Sequence, residues 1–428
     1  RSCTADTYTA IVLDNAVRGK FLPKKTKKTP INGGDLHDTI GPMKQNAMKR
    51  TRLRIKPVYA ALIHTDVWEG PCRAGALGTL TPQAEARDAE RAFAAWTVEL
   101  RAELDSDPRT DSTAVEILEP YLARYTEALV PPDTVFDDLA ADTDHVDLYV
   151  ISGRRLYGIE RLGKPVTMLA RGVGAVDLIA SCRRNGVEGY VCLDYADLRR
   201  VAHLLHVRKA VASTKALVLT AGRFPSWGVL SNIVDHDAIR ERYGLTIETA
   251  PYDSFVPTMD AVDRNEALEL AHRYAERAGD TLVAPDDLAN DMQYYVGVRH
   301  MLEDADADAF STSCFELCAS RLPQKRRFVP CMTHSILKAD GIPSACEEDI
   351  NALLAITVLQ YLTGRSTFMG NPLFENEELI SIHHAVPSVK MNGFEDDDVP
   401  YDLWSFTHQG FGAKMQIDLS KLDRKSVV

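Results

Sequence analysis

Long apolar runs are missing from this chain of 428 residues; the one inside KALVLTAG, from Lys215, is among the longest and is only strand-length. A membrane-spanning helix needs about 20 apolar residues, so no membrane partner is expected. Cysteine is sparse, eight in all, with no CxxC pair, which argues against a disulfide scaffold and the common zinc modules. The thiols read as structural, and a reducing, cytoplasmic location is expected. No repeat or secretion signal is present, although a chain that begins at Arg1 leaves room for a processed leader. The segment ARGVGAVDLIASCRRNG offers Gly172 and Gly174 but lacks the third glycine and following acid of a dinucleotide fingerprint. It reads as a tight strand-to-helix turn. The acidic run Glu303, Asp304, Asp306 and Asp308 lacks the central glycine and terminal glutamate of a calcium loop, and reads as a solvated helix end.

Positive charge is the scarcer sign, 49 Lys and Arg against 61 Asp and Glu, and it is concentrated at one end. Residues 1–56 hold thirteen Lys or Arg and four Asp, a balance of +9, which leaves −21 on the rest of a chain whose total is −12. The arm carries KKTKK at Lys24–Lys28. No nucleic-acid motif accompanies it, so it is expected to pack on the acidic body or on a neighbouring subunit, with no nucleic-acid partner.

An apolar content of 45% supports packed cores, and the length implies more than one domain. Strand-like segments start at Lys56, Val146, Lys164, Gly189 and Lys215, and alternate with helical ones. That alternation predicts parallel βαβ units and an α/β fold with two Rossmann-like parallel-sheet domains. The expected division is a basic extension over 1–55, α/β domains over 56–164 and 165–310, and a C-terminal domain over 311–428. Where the first strand ends, His64, Asp66, Glu69 and Arg73 collect in a loop, the place ligands take in open α/β sheets. The helix after it is capped by Thr81, with Glu85 close to capping-box spacing. Asp235, His236 and Asp237 read as helix-start charges rather than a metal cluster.

The densest chemistry lies in Ser344–Pro387, SACEEDINALLAITVLQYLTGRSTFMGNPLFENEELISIHHAVP. Glu347, Glu348 and Asp349 stand at the mouth of an apolar helix that Gly364 ends, and a strand follows with His383 and His384. Carboxylate oxygen and imidazole nitrogen suit Mn, Fe or Zn. Period-two alternation puts Ile380, Ile382 and His384 on one face and Leu379, Ser381 and His383 on the other. His383, on the less apolar face, is the preferred ligand, and His384 reads as a packing histidine.

This region resembles the L-fucose isomerase and L-arabinose isomerase superfamily. Glu347 matches the acid of its first motif, Thr363 and Gly364 its helix-closing Thr-Gly, and Asn371 the position of its second acid. The resemblance implies a manganese site of Glu347, Asn371 and His383, with His408 and Arg73 as substrate contacts. It implies a C-terminal α+β domain with a partial β-barrel, since the family's barrel runs further than Val428. It also implies aldose–ketose isomerisation of a monosaccharide in a homo-oligomer, trimer or hexamer. Glu347 then moves the proton between carbon atoms. Asparagine cannot transfer protons, so Glu375 is expected as partner acid. The alternatives are a non-catalytic carbohydrate-binding or regulatory relative, or a sugar lyase or epimerase on the same scaffold.

Overall fold

The computed structural model describes residues 9–12, 46–64, 81–105, 114–126, 131–221, 226, 228–377, 379–417 and 422. The chain divides into two compact units, Lys49–Lys209 and, together, Arg1–Met48 with Ala210–Val428. It opens with β1 (Thr9–Val12) and the short helix α1 (Ala47–Arg50).

The unit Lys49–Lys209 is built from β2 (Leu53–Leu62), α2 (Pro82–Asp105), β3 (Val115–Ile117), β4 (Tyr121–Tyr125), α3 (Asp133–Ala140), β5 (Leu148–Gly153), β6 (Val166–Leu169), α4 (Val173–Arg184), β7 (Gly189–Cys192) and α5 (Tyr195–Ala212), which runs past the boundary. Among the described residues its six strands are all parallel, in the order β3-β2-β5-β6-β7 with β4 also beside β2. Strands covered on both faces read as continuous apolar runs, as Leu148, Tyr149, Val150 and Ile151 do in β5. Alternation then divides them. Leu148 and Val150 pack with Trp96 of α2 and Leu198 of α5, whereas Tyr149 and Ile151 pack with Phe136 of α3 and Leu178 of α4. The division expected at residue 164 falls between β5 and β6 of this one sheet. Thr81 Oγ1 accepts the Ala84 N–H at 3.2 Å and caps α2, while the Glu85 carboxylate accepts the His64 backbone N–H at 2.8 Å.

In the other unit follow β8 (Lys215–Thr220), α6 (His236–Tyr243), β9 (Thr246–Pro251), α7 (Tyr252–Asp260), α8 (Arg264–Arg277), α9 (Pro285–Asp304), β10 (Ala309–Thr312), α10 (Cys314–Ala319), α11 (Leu322–Arg326), α12 (Cys331–Ala339), β11 (Ser344–Ala345), α13 (Ile350–Thr363), β12 (Asn371–Phe374), β13 (Ile380–His384), β14 (Tyr401–Ser405) and β15 (Ala413–Ile417). A second parallel sheet runs in the order β11-β10-β8-β9. Along β8, Leu217 and Leu219 pack with Phe255, Leu270 and Tyr294 of α7, α8 and α9. Ala216 and Val218 turn the other way, to Ile239 of α6 and Leu353 of α13. Asp235 accepts the Ala238 N–H at 2.9 Å and is the N-cap of α6.

Two small antiparallel sheets complete this unit, β1-β13-β12 and β14-β15. The chain is therefore α/β with two parallel sheets. The boundary expected at residue 311 falls within β10. Of the basic arm, Thr9–Val12 pairs with Ser381–His384, while Lys24–Lys28 lies outside the described residues. Among those described, no helix is long and apolar enough to cross a membrane.

Candidate functional site

Parallel strands β8, β10 and β11 all end on the same edge, and ligands of open α/β sheets gather at such carboxyl edges. The residues just past β11 are Cys346, Glu347, Glu348 and Asp349. Glu347 and Glu348 take φ of 65° and 57°, in the left-handed region that costs a side-chain-bearing residue roughly 1–2 kcal/mol. Their surroundings enforce it. Glu348 N–H donates to the Thr312 carbonyl at 2.9 Å, ending the β10–β11 ladder. Asn232 then clamps the turn, giving its Nδ2 to the Glu348 carbonyl at 2.6 Å and accepting the Ile350 N–H on Oδ1 at 2.8 Å. Asn232→Ala removes both bonds from a buried place, and should cost about 2–4 kcal/mol in urea unfolding. Asp349 is the N-cap of α13, its Oδ1 accepting the Ala352 N–H at 2.9 Å, and Gly364 at φ 63° closes the helix.

The clamp sets Glu347 inward, with 8% of its surface exposed. Asn371 Nδ2 donates to Glu347 Oε1 at 3.0 Å, and His384 Nε2 stands 3.4 Å from the same oxygen. Burial pushes the Glu347 carboxyl up, but the His384 imidazole, by contact and charge, and the Asn371 amide outweigh it and hold the group below its ordinary range. His384 is 3% exposed, and its Nδ1 accepts the Ala385 N–H at 2.9 Å. In the neutral ring the proton is then on Nε2, facing Glu347.

β12 brings Asn371 to this point because Gly370 lets the strands close up: a Cβ there would lie 2.3 Å from Ile382 Cγ2. Asn371 is opposite His383 in the β12–β13 register. His383 faces a second group, with Nε2 2.6 Å from Ser381 Oγ, while the Ser381 hydroxyl donates to Glu375 Oε1 at 2.7 Å. Since that hydroxyl has one proton, His383 Nε2 supplies its own, and the three form a directed chain from imidazole to carboxylate.

Of the residues singled out from the sequence, the fold therefore joins Glu347 to Asn371, and His383 to Glu375. His408 lies exposed in the turn between β14 and β15. Arg73, with Asp66 and Glu69, lies outside the described residues. Sequence reasoning passed over Asn232, Ser381 and the contact of His384 with Glu347. It also gave no role to Glu348, which is fully buried. Burial pushes the Glu348 carboxyl up to about 7, with Thr220, Ser313 and the Ser226 amide pulling down and Glu316 pushing up.

Among the described residues no three His, Cys, Asp or Glu side chains are grouped as a metal site. The donors that meet are Glu347, Asn371 and His384, and their types fit a hard divalent cation: carboxylate oxygen, amide oxygen and imidazole nitrogen. Two of them must be reset to receive one. A half-turn of the Asn371 amide replaces its N–H₂ with its carbonyl oxygen. A change of His384 tautomer frees Nε2 at the loss of the Ala385 bond. No family model matches this chain, and no curated protein matches it.

Proposed function

We propose that this chain is an aldose–ketose isomerase acting on an open-chain monosaccharide, with Glu347 as the group that moves a proton between C2 and C1. The observation that carries the reading is the buried Glu347 carboxylate at the carboxyl edge of a parallel sheet, held below the ordinary range by Asn371 and His384. At neutral pH it is ionised, the form a base requires, and its site is shielded enough for charge interactions to be strong. Glu347 takes the proton from C2, exchanges it with solvent while protonated, and delivers a proton to C1 as the carbonyl moves. The oxygen-bound proton travels in the same sense, from O2 to O1, and the His383–Ser381–Glu375 chain is the relay assigned to it. A divalent cation held by Glu347, Asn371 and His384, manganese by the resemblance, polarises the carbonyl when bound.

On this reading the two small antiparallel sheets belong to the family's barrel, and the protein is a cytoplasmic homo-oligomer. The second reading is a carbohydrate-binding relative without turnover, favoured by Asn371 standing where a second acid is expected. A panel of aldoses assayed for ketose, with and without Mn²⁺, separates the two. Metal-dependent ketose formation supports the isomerase. Calorimetric binding of a sugar with no turnover under any divalent metal overturns it in favour of the second reading.

A further inference from the structure

We propose that Cys314 and Cys346 form an oxidative modification site, closing reversibly to a disulfide beside Glu347. The placement follows from the sheet. β10 and β11 run parallel, with Ser311 opposite Ala345; Cys346 is the next residue after β11, and Cys314 is two residues beyond β10. The sulfurs face each other at 3.5 Å. A disulfide needs about 2.05 Å, so the gap to close is about 1.5 Å. Cys314 opens the short helix α10 and is partly exposed, whereas Cys346 is 2% exposed. A small oxidant therefore reaches Cys314 first.

The chemistry balances with a peroxide as oxidant. The Cys314 thiolate attacks one peroxide oxygen; the S–O bond forms, the O–O bond breaks, and the departing hydroxide takes up the thiol's proton as water. Cys346 then attacks the sulfenic sulfur. The S–S bond forms, the S–O bond breaks, and hydroxide leaves with the second proton as water. Two thiols lose two electrons, and the peroxide becomes two waters.

Closure has a direct line to the candidate site, a consequence that rests on the proposed function. Cys346 adjoins Glu347, and its N–H points at Met369 Sδ, 3.3 Å away and two residues before Asn371. Its carbonyl also accepts the Asp349 N–H at 3.2 Å. A shift of Cys346 therefore reaches both Glu347 and Asn371. Misplacement by about 1 Å is enough to lower turnover roughly 10²-fold.

The Cys346 thiol and burial push the Cys314 thiol well above its ordinary range, so the test treats the reduced full chain with hydrogen peroxide at alkaline pH, then blocks remaining thiols and maps peptides by mass. The expected result is a Cys314–Cys346 linked peptide that dithiothreitol reverses and that Cys314→Ser lacks. Turnover is expected to fall in step in the unsubstituted protein and to persist in Cys314→Ser. A map in which Cys346 stays unlinked, or pairs with Cys318 or Cys331, overturns the site. Linkage with unchanged turnover overturns the coupling to Glu347. Linkage in a protein that isomerises no sugar leaves the modification site standing and overturns the proposed function alone.

Discussion

Glu347→Gln is expected to lower aldose–ketose turnover on the order of 10²–10⁴-fold, the usual range for loss of a positioned acid–base group. Glutamine keeps the side chain's size and an oxygen to accept from Asn371 Nδ2, which stands 3.0 Å from Glu347 Oε1. What it removes is the charge and the ability to carry a proton. Sugar binding, measured by calorimetry, is expected to change only a few-fold, so the loss falls in kcat and not in KM. The substitution also removes a pH-dependent part of the stability. A carboxyl held below its ordinary 4.5 stabilises the fold above that pH, and the contribution disappears as pH falls through the lowered value. Wild type should therefore lose more stability than Glu347→Gln on acidification.

Lys338→Met is expected to stabilise the protein by about 2 kcal/mol at pH 7, the net of a relieved ammonium and one orphaned carbonyl. Lys338 lies on α12 with no exposed surface, and its Nζ donates to the Val386 carbonyl at 2.5 Å. Titratable groups near it include His334 one turn back on α12, and Cys346. Desolvation lowers its ammonium from the ordinary 10.5 to about 7, against a smaller upward pull from Cys346. Between those values the unfolded chain keeps a proton that the folded chain has released. Stability therefore rises with pH across that window, by about 5 kcal/mol in the limit.

Glu348 works in the opposite sense at lower pH. Its carboxyl is pushed from 4.5 up to about 7, so the folded chain keeps a proton that the unfolded chain has lost. Stability falls as pH rises through that window, by about 3 kcal/mol in the limit. Together the two groups place a stability minimum near neutral pH. Urea midpoints across pH 5–10 check this: Lys338→Met should flatten the alkaline limb and leave the acidic one. A Lys338→Met protein with the same alkaline rise as wild type would show that another group causes it.

Much of this architecture was legible because it is local. The runs at β5 and β8 are apolar without a break, as doubly covered strands are. Thr81, Asp235, Asp349 and Gly364 are capping residues in positions where only a helix end explains them. The site was legible in composition but not in pairing. Alternation correctly separated His383, which meets Ser381 two residues away, from His384. It could not say which face is covered: Ser381 is 2% exposed and Ile380 40%, the reverse of what polarity suggests. The left-handed backbone at Glu347 and Glu348 was invisible in the sequence as well. Its cause is the side chain of Asn232, more than a hundred residues earlier in the chain.

The central claim is that Glu347 carries a carbon-bound proton, and solvent exchange tests it most directly. Sugars from the aldose panel, incubated with the protein and Mn²⁺ in D₂O, are followed by NMR for deuterium at C1 of the ketose and C2 of the aldose. The account predicts deuterium at those carbons with the unsubstituted protein and none above background with Glu347→Gln. Incorporation that persists unchanged in Glu347→Gln, or ketose formation with no deuterium in either carbon, would contradict it.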